Sequence, residues 1–382
     1  MRDLGIRLDG PAEAPVLVFA NSLGTTSKMW DPQVRALSRR YRCVRYELRG
    51  HGGTDAPPTP YAIGDLGADL LAVLDEVGAT RASVLGLSLG GTVGLWLAAH
   101  HPERVDRLVV ACSRASWPPE GFWEERIAAV RRSSPSDLLE GLLGRWFTPD
   151  YALSHPELEL WFASMLAQAS PDGYVGCCQA LAQVDLHKYL GAIRAPTLVL
   201  AGANDPAVSM VDAASLAAAL PDASLQAVAP GAHLLNVEQP ERFTSAVLTH
   251  LAGTALERGG TRRGQVLGPE HVHRTAFGPD SLSTDFYELI TRYAWDEIWN
   301  RTTLDLRTRS AVTVALLVAL GRYDELALHL EAARRNGLGD AEIEEVLLHT
   351  AIYCGVPAAN SAFAVARRVL EGEDEDEGSD DT

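Results

Sequence analysis

Short apolar runs and helical stripes alternate along the first part of the chain, up to about residue 113. PVLVFA (15–20), CVRYEL (43–48), ASVLGL (82–87) and RLVVAC (107–112) read as buried strands, with IGDLGADLLAVLDEVG and LGGTVGLWLAAHH as helices among them. Continuous apolar strands separated by helices predict a parallel sheet covered on both faces. From Trp117 to about Gly191 the strand pattern gives way to aromatic-rich helical segments, FWEERIAAVRR and DLLEGLLGRWF among them. Alternation resumes with PTLVLAG (196–202), MVDAASLAAAL, SLQAVA (224–229) and a helix near QPERFTSAVLTHL. A helical insertion over 117–191 inside a β/α domain spanning 1–255 predicts a cap over the carboxyl ends of the strands. Glycine and arginine then replace the apolar period in GTALERGGTRRGQ (253–265), which predicts a linker centred on 256–263. Beyond it, 264–370 reads as helical throughout, an all-α domain.

Composition narrows the function classes. Of the 382 residues, 47% are hydrophobic and 22% charged, the balance of a globular protein with a large core. The net charge of −17, with no clustered basic stripe, excludes nucleic acid as an expected partner. Eight acidic side chains fall in EGEDEDEGSDDT (371–382), read as a disordered acidic tail. The opening segment places Asp3, Asp9 and Glu13 where a signal peptide needs an apolar core, and no run reaches membrane-spanning length, so a cytoplasmic protein without membrane association is expected. The five cysteines form no C-x-x-C pair, which argues against a disulfide framework or a structural zinc site.

The chemistry centres on GLSLG (86–90), where Ser88 lies between a strand and a helix. In that context G-x-S-x-G predicts a strained elbow that lifts the serine above the sheet. A serine nucleophile needs a base and an orienting acid, and the expected chain order is serine, acid, histidine. Asp205, after PTLVLAG, and His233, after SLQAVA, supply them at strand ends. Two backbone N–H groups must face the oxyanion; Leu89 follows the nucleophile, and Leu23 in ANSLGTT is the second, with Ser22 as the alternative.

The stretches NSLGTTSKMWDPQV, YELRGHGGTDAP, GLSLGGTVGLWLA, AGANDPAVS and PGAHLLNVEQPERF together resemble the 3-oxoadipate enol-lactonase branch of the α/β-hydrolases over most of residues 1–252. Residues 264–370, with GQVLGPEHVHRTAFG, the helical run from YELITRYAWDEIWN through HLEAARRNGL, and EIEEVLLHTAIYCGVPAANSAF, resemble 4-carboxymuconolactone decarboxylase. Alkylhydroperoxidase-like proteins share that second superfamily. Alignment on His329 puts Arg322 and Glu325 where their redox cysteines stand, so Cys354 alone argues against thiol peroxidase chemistry.

These resemblances imply a fusion of consecutive steps in protocatechuate breakdown, acting on small carboxylated lactones without a metal or organic cofactor. The lactone's carboxylate calls for a cation in the cap. Arg126, Arg131, Arg132 and Arg145 are the candidates, with Arg145-Trp146 preferred and Trp123 as a further wall. In the second domain the resemblance points to His329 and His349 as acid–base groups, although a lone histidine in an apolar helix is more often a core residue. Arg309 is the carboxylate clamp or a helix-terminal surface charge; Glu345 orients a histidine or belongs to a solvated face. The resemblance also implies a homo-oligomer formed through the C-terminal domain. The competing reading is a broad-specificity serine esterase joined to a helical assembly domain.

Overall fold

The computed structural model describes residues 4–117, 120–268 and 284–370; the acidic tail and residues 269–283 lie outside the described residues. The chain divides between Leu251 and Ala252 into two compact units. The first is built on a seven-stranded sheet of β1 (Arg7–Asp9), β2 (Val16–Ala20), β3 (Arg42–Arg45), β4 (Ala82–Leu87), β5 (Val105–Ala111), β6 (Thr197–Gly202) and β7 (Ala223–Val228). The spatial order is β1-β3-β2-β4-β5-β6-β7, with β1 antiparallel to β3 and every other pairing parallel.

The central strands are the continuous apolar runs of the sequence because helices cover both sheet faces; every residue of β4 and β6 is buried. β1 is the strand that hydrophobic patterning misses, since its three residues are polar or half-exposed at the sheet edge. The expected strand 43–48 is shorter in the ladder: Tyr46 and Leu48 stay buried, but pairing stops at Arg45.

Between β5 and β6 the chain leaves the sheet to build the cap, with helices Glu120–Arg132, Leu139–Trp146, Pro149–Ser154, Glu157–Leu166 and Pro171–Gln183. A bridge between Ser116 and Asp185 and a bond from Leu186 N–H to the Ala115 carbonyl (3.0 Å) close its base. The insertion therefore begins and ends at one point above the sheet.

The second unit is helical throughout its described residues. The expected linker is a correction: residues 256–263 lie inside a helix, Ala255–Leu267, capped by Thr254 and Glu257. Of its glycines, Gly259 marks close packing where the sequence suggested a linker, while Gly260 and Gly264 face open space. A Cβ on Gly259 would stand 2.1 Å from the Thr291 carbonyl oxygen of the π-helix Thr291–Ile298. Arg258 clamps Asp296 with two hydrogen bonds across the same contact. Helices Leu306–Ala319, Tyr323–Arg335, Asp340–Cys354 and Val356–Leu370 complete the unit around Val314, Val318, Leu326, Leu330, Ile343, Leu347 and Ala362.

Candidate active site

Ser88 joins β4 to the helix Leu89–His100 with φ 57° and ψ −119°, a conformation an L-residue adopts only under constraint. The constraint is close packing around the turn. A Cβ on Gly86 would lie 2.2 Å from the Gly90 carbonyl oxygen, and one on Gly90 would lie 2.0 Å from that of Ala20. The turn is held by Ser88 N–H donating to the Ala111 carbonyl at 2.9 Å and by Ser113 Oγ–H donating to the Ser88 carbonyl at 2.6 Å.

The ends of β6 and β7 bring the other two groups to this elbow. His233 Nε2 lies 2.8 Å from Ser88 Oγ, and His233 Nδ1 lies 2.8 Å from Asp205 Oδ2. A carboxylate at Nδ1 fixes the tautomer, so Nδ1–H donates to Asp205 and the Nε2 lone pair faces the serine hydroxyl. The other Asp205 oxygen accepts from the N–H groups of Ala207 (2.8 Å) and Val208 (3.2 Å), which hold the carboxylate in place. All three residues are buried. Ser88, His233 and Asp205 thus form one hydrogen-bonded line.

The loop after β2 faces the same elbow. Ser22 N–H donates to the Met29 thioether at 3.3 Å, whereas among the described residues the Leu23 and Leu89 N–H groups donate to no protein acceptor. Ser22 N–H is thus already engaged, whereas Leu23 N–H is not; Leu89, first residue of its helix, has no partner in the preceding turn. Gly24 N–H, one residue further, donates to His51 Nε2 at 3.2 Å, while His51 Nδ1–H donates to the Arg49 carbonyl. Burial holds the His51 imidazole at a pKa of about 4, so it stays a neutral acceptor and fixes this loop.

A cavity of about 330 Å³ opens over Ser88 and His233, lined by Leu23, Trp117, Phe122, Trp123, Leu142 and Trp146 with Arg114, Arg126 and Arg145. Arg114 is paired with Asp212 (3.0 Å). Among the described residues, Arg126 and Arg145 have no carboxylate partner; they lie over aromatic rings, Arg126 5.9 Å from Trp123 and Arg145 5.0 Å from Phe122. Burial, and then repulsion from Arg126, hold the Arg145 pKa below its ordinary value. Of the four cap arginines expected as candidates, Arg131 and Arg132 fall in a separate surface groove. Arg114 and Trp117 carry no motif; their one signal in sequence is their place just beyond the carboxyl end of β5.

The residues expected to act in the second unit are not gathered into one cavity there. His329 is half-buried on Tyr323–Arg335, and His349 is exposed on Asp340–Cys354 with its ring 5.0 Å from that of Tyr353. Arg309 is half-buried, its Nη2 donating to the Arg301 carbonyl at 3.0 Å, and among the described residues its enclosed Nε has no partner. Glu345 is exposed. A cavity among the described residues of this unit lies elsewhere, between Asp340–Cys354 and Val356–Leu370, and none of these residues lines it.

Comparison with known proteins bears directly on both units. The model of the alpha/beta hydrolase fold family matches residues 15–240, and that of the carboxymuconolactone decarboxylase family matches residues 284–368. The chain belongs to both families, one in each unit. Over 238 residues it is 38% identical to 3-oxoadipate enol-lactonase 2 of Acinetobacter baylyi, covering 62% of this chain and 89% of that protein. Over a further 109 residues it is 44% identical to 4-carboxymuconolactone decarboxylase of the same organism, covering 28% of this chain and 81% of that protein. The crystal structure of the enol-lactonase from Burkholderia xenovorans LB400 superposes with a TM-score of 0.64 at 34% identity, covering 66% of this chain and 97% of that one. This alpha/beta hydrolase is therefore fused to a carboxymuconolactone decarboxylase family domain, and no described helix is long and apolar enough to cross a membrane.

Proposed function

We propose that the chain is a bifunctional enzyme of protocatechuate catabolism, which decarboxylates 4-carboxymuconolactone and hydrolyses the resulting 3-oxoadipate enol-lactone to 3-oxoadipate. The observation that carries the lactonase half is the Ser88–His233–Asp205 line opening into a cavity with two arginines that lack carboxylate partners. Such a cavity suits an apolar ring bearing one anionic group.

In this reading Ser88 Oγ attacks the lactone carbonyl as its proton passes to His233 Nε2. The Leu23 and Leu89 N–H groups stabilise the tetrahedral oxyanion. Collapse breaks the ring C–O bond, and the leaving oxygen takes the proton back from His233 as an enol that tautomerises to the ketone. The opened chain remains attached as the acyl group, its carboxylate held by Arg145 and Arg126 against Trp146. Water then gives a proton to His233 and attacks the acyl carbon, releasing 3-oxoadipate and restoring Ser88.

The decarboxylation needs less from the protein. The departing carboxylate of the substrate lies at the far end of a double bond that is conjugated to the lactone carbonyl, so the electrons left by carbon dioxide delocalise as a dienolate onto that oxygen. His329 and His349 supply the proton returned to carbon, and Arg309 clamps a carboxylate. Arg309 shares a helix with exposed Val312 and Leu316, followed by exposed Leu320 at its C-cap, and His349 shares one with exposed Leu348, Ile352 and Tyr353. Self-association of this domain covers these apolar stripes and encloses the residues beside them.

The test is an NMR time course of the purified chain with 4-carboxymuconolactone, following ring protons and carbon dioxide release together. Conversion through to 3-oxoadipate is expected; a stall at the enol-lactone would leave the hydrolase unit with a different substrate.

A further inference from the structure

Glu238 lies beside the serine line but outside it, with only 4% of its surface exposed. Its Oε2 accepts from Ala232 N–H at 2.8 Å, one residue before His233. Its Oε1 accepts from Thr148 N–H at 3.3 Å and from the Thr148 hydroxyl. Thr148 belongs to the cap, two residues beyond Trp146. On the far side of the histidine, Leu234 N–H donates to the Trp146 carbonyl at 2.9 Å, and Tyr151 Oη–H donates to the Val237 carbonyl at 3.0 Å.

The backbone on either side of His233 is thus tied to the cap segment whose side chains Arg145 and Trp146 line the cavity, directly at Leu234 and through the Glu238 carboxylate at Ala232. Among the described residues no cation pairs with Glu238. A buried carboxylate costs desolvation free energy unless its oxygens are well supplied with donors, and here those donors, Thr148 and Ala232, come from two segments distant in the chain. An apolar side chain would fill the space without that cost and would leave the Ala232 and Thr148 N–H groups unpaired.

We propose that Glu238 is a positioning residue that latches the cap segment 145–148 to the loop carrying His233. The group that reads the substrate carboxylate and the base that activates Ser88 then hold a single relative geometry. This rests on the hydrolase reading of the Ser88 site. A displacement of the base by about 1 Å is enough to cost on the order of 100-fold in rate, so the latch acts on kcat through His233 and on KM through Arg145.

The experiment measures kcat and KM of the full chain and its Glu238→Ala and Glu238→Gln variants on 3-oxoadipate enol-lactone and on p-nitrophenyl acetate, a neutral aryl ester, well below each variant's Tm. Glu238→Ala is expected to lower kcat on both substrates by about tenfold or more, and to raise KM for the lactone several-fold while leaving KM for the ester unchanged. Glu238→Gln, which keeps one oxygen acceptor, recovers part of the lost kcat. Wild-type kcat in a folded Glu238→Ala protein would overturn the proposal, as would a fall in Tm alone. Should the alanine variant not fold, wild-type kcat and KM in Glu238→Gln would overturn it equally. A wild-type chain that turns over the ester and ignores the lactone would refute the substrate reading, while the ester arm would still decide the latch.

Discussion

Arg126 and Arg145 place two positive charges against aromatic walls, 5.9 Å from Trp123 and 5.0 Å from Phe122, with no carboxylate partner among the described residues. Neighbouring cations in a partly dehydrated cavity repel one another, which is the direction in which Arg126 acts on Arg145. An anionic ligand relieves that repulsion, and a neutral one does not. Hydrogen bonds to charged groups contribute about 1.5–3 kcal/mol, so Arg145→Met is expected to raise KM for the enol-lactone by roughly 10- to 100-fold. The same variant should leave KM for a neutral aryl ester nearly unchanged, and Arg126→Met should behave alike. Steady-state kinetics on the two substrates checks this; an equal effect on both would remove the carboxylate-reading role. At this scale the triad residues are legible in sequence because each stands at a strand end in a recognised order. Glu238 is not, although it falls within PGAHLLNVEQPERF: a carboxylate that bonds backbone N–H groups follows no spacing rule, and its partner Thr148 is distant in the chain.

Among the elements, apolar periodicity exposes the buried strands well and the edges poorly. β1 shows no alternation because its partner on one side is solvent; the other edge, β7, is largely exposed yet still legible as SLQAVA. The helix Ala255–Leu267 was hidden by its glycines, which sequence patterning reads as breakers and which the fold uses at Gly259 to bring a backbone against Thr291. Two helices of the second unit carry more apolar surface than their own core absorbs. Leu316 and Leu320 are 55% and 70% exposed, and Ile352 and Tyr353 are 79% and 77% exposed. If self-association covers these stripes, Ile352→Glu should reduce the assembly size measured by light scattering and slow carbon dioxide release, with aryl-ester hydrolysis by the other unit retained. A wild-type chain that is monomeric and a full decarboxylase would contradict this reading.

For the whole molecule, length and the change from mixed β/α pattern to purely helical pattern made two units legible, and the division between Leu251 and Ala252 lies close to the expected boundary at 255. What sequence could not supply is the gathering of decarboxylase groups: His329, His349 and Arg309 stand on separate helices, and the resemblance alone associates them with one reaction. In the function we propose, two independent sites act in succession on one chain, with Ser88 as the nucleophile of the second step and no part of the first, so a single substitution separates them. The most direct measurement is therefore an NMR time course of Ser88→Ala protein with 4-carboxymuconolactone. The account predicts carbon dioxide release at the wild-type rate and accumulation of the enol-lactone without 3-oxoadipate beyond the spontaneous rate. Loss of both activities together, or continued enzymatic formation of 3-oxoadipate, would contradict it.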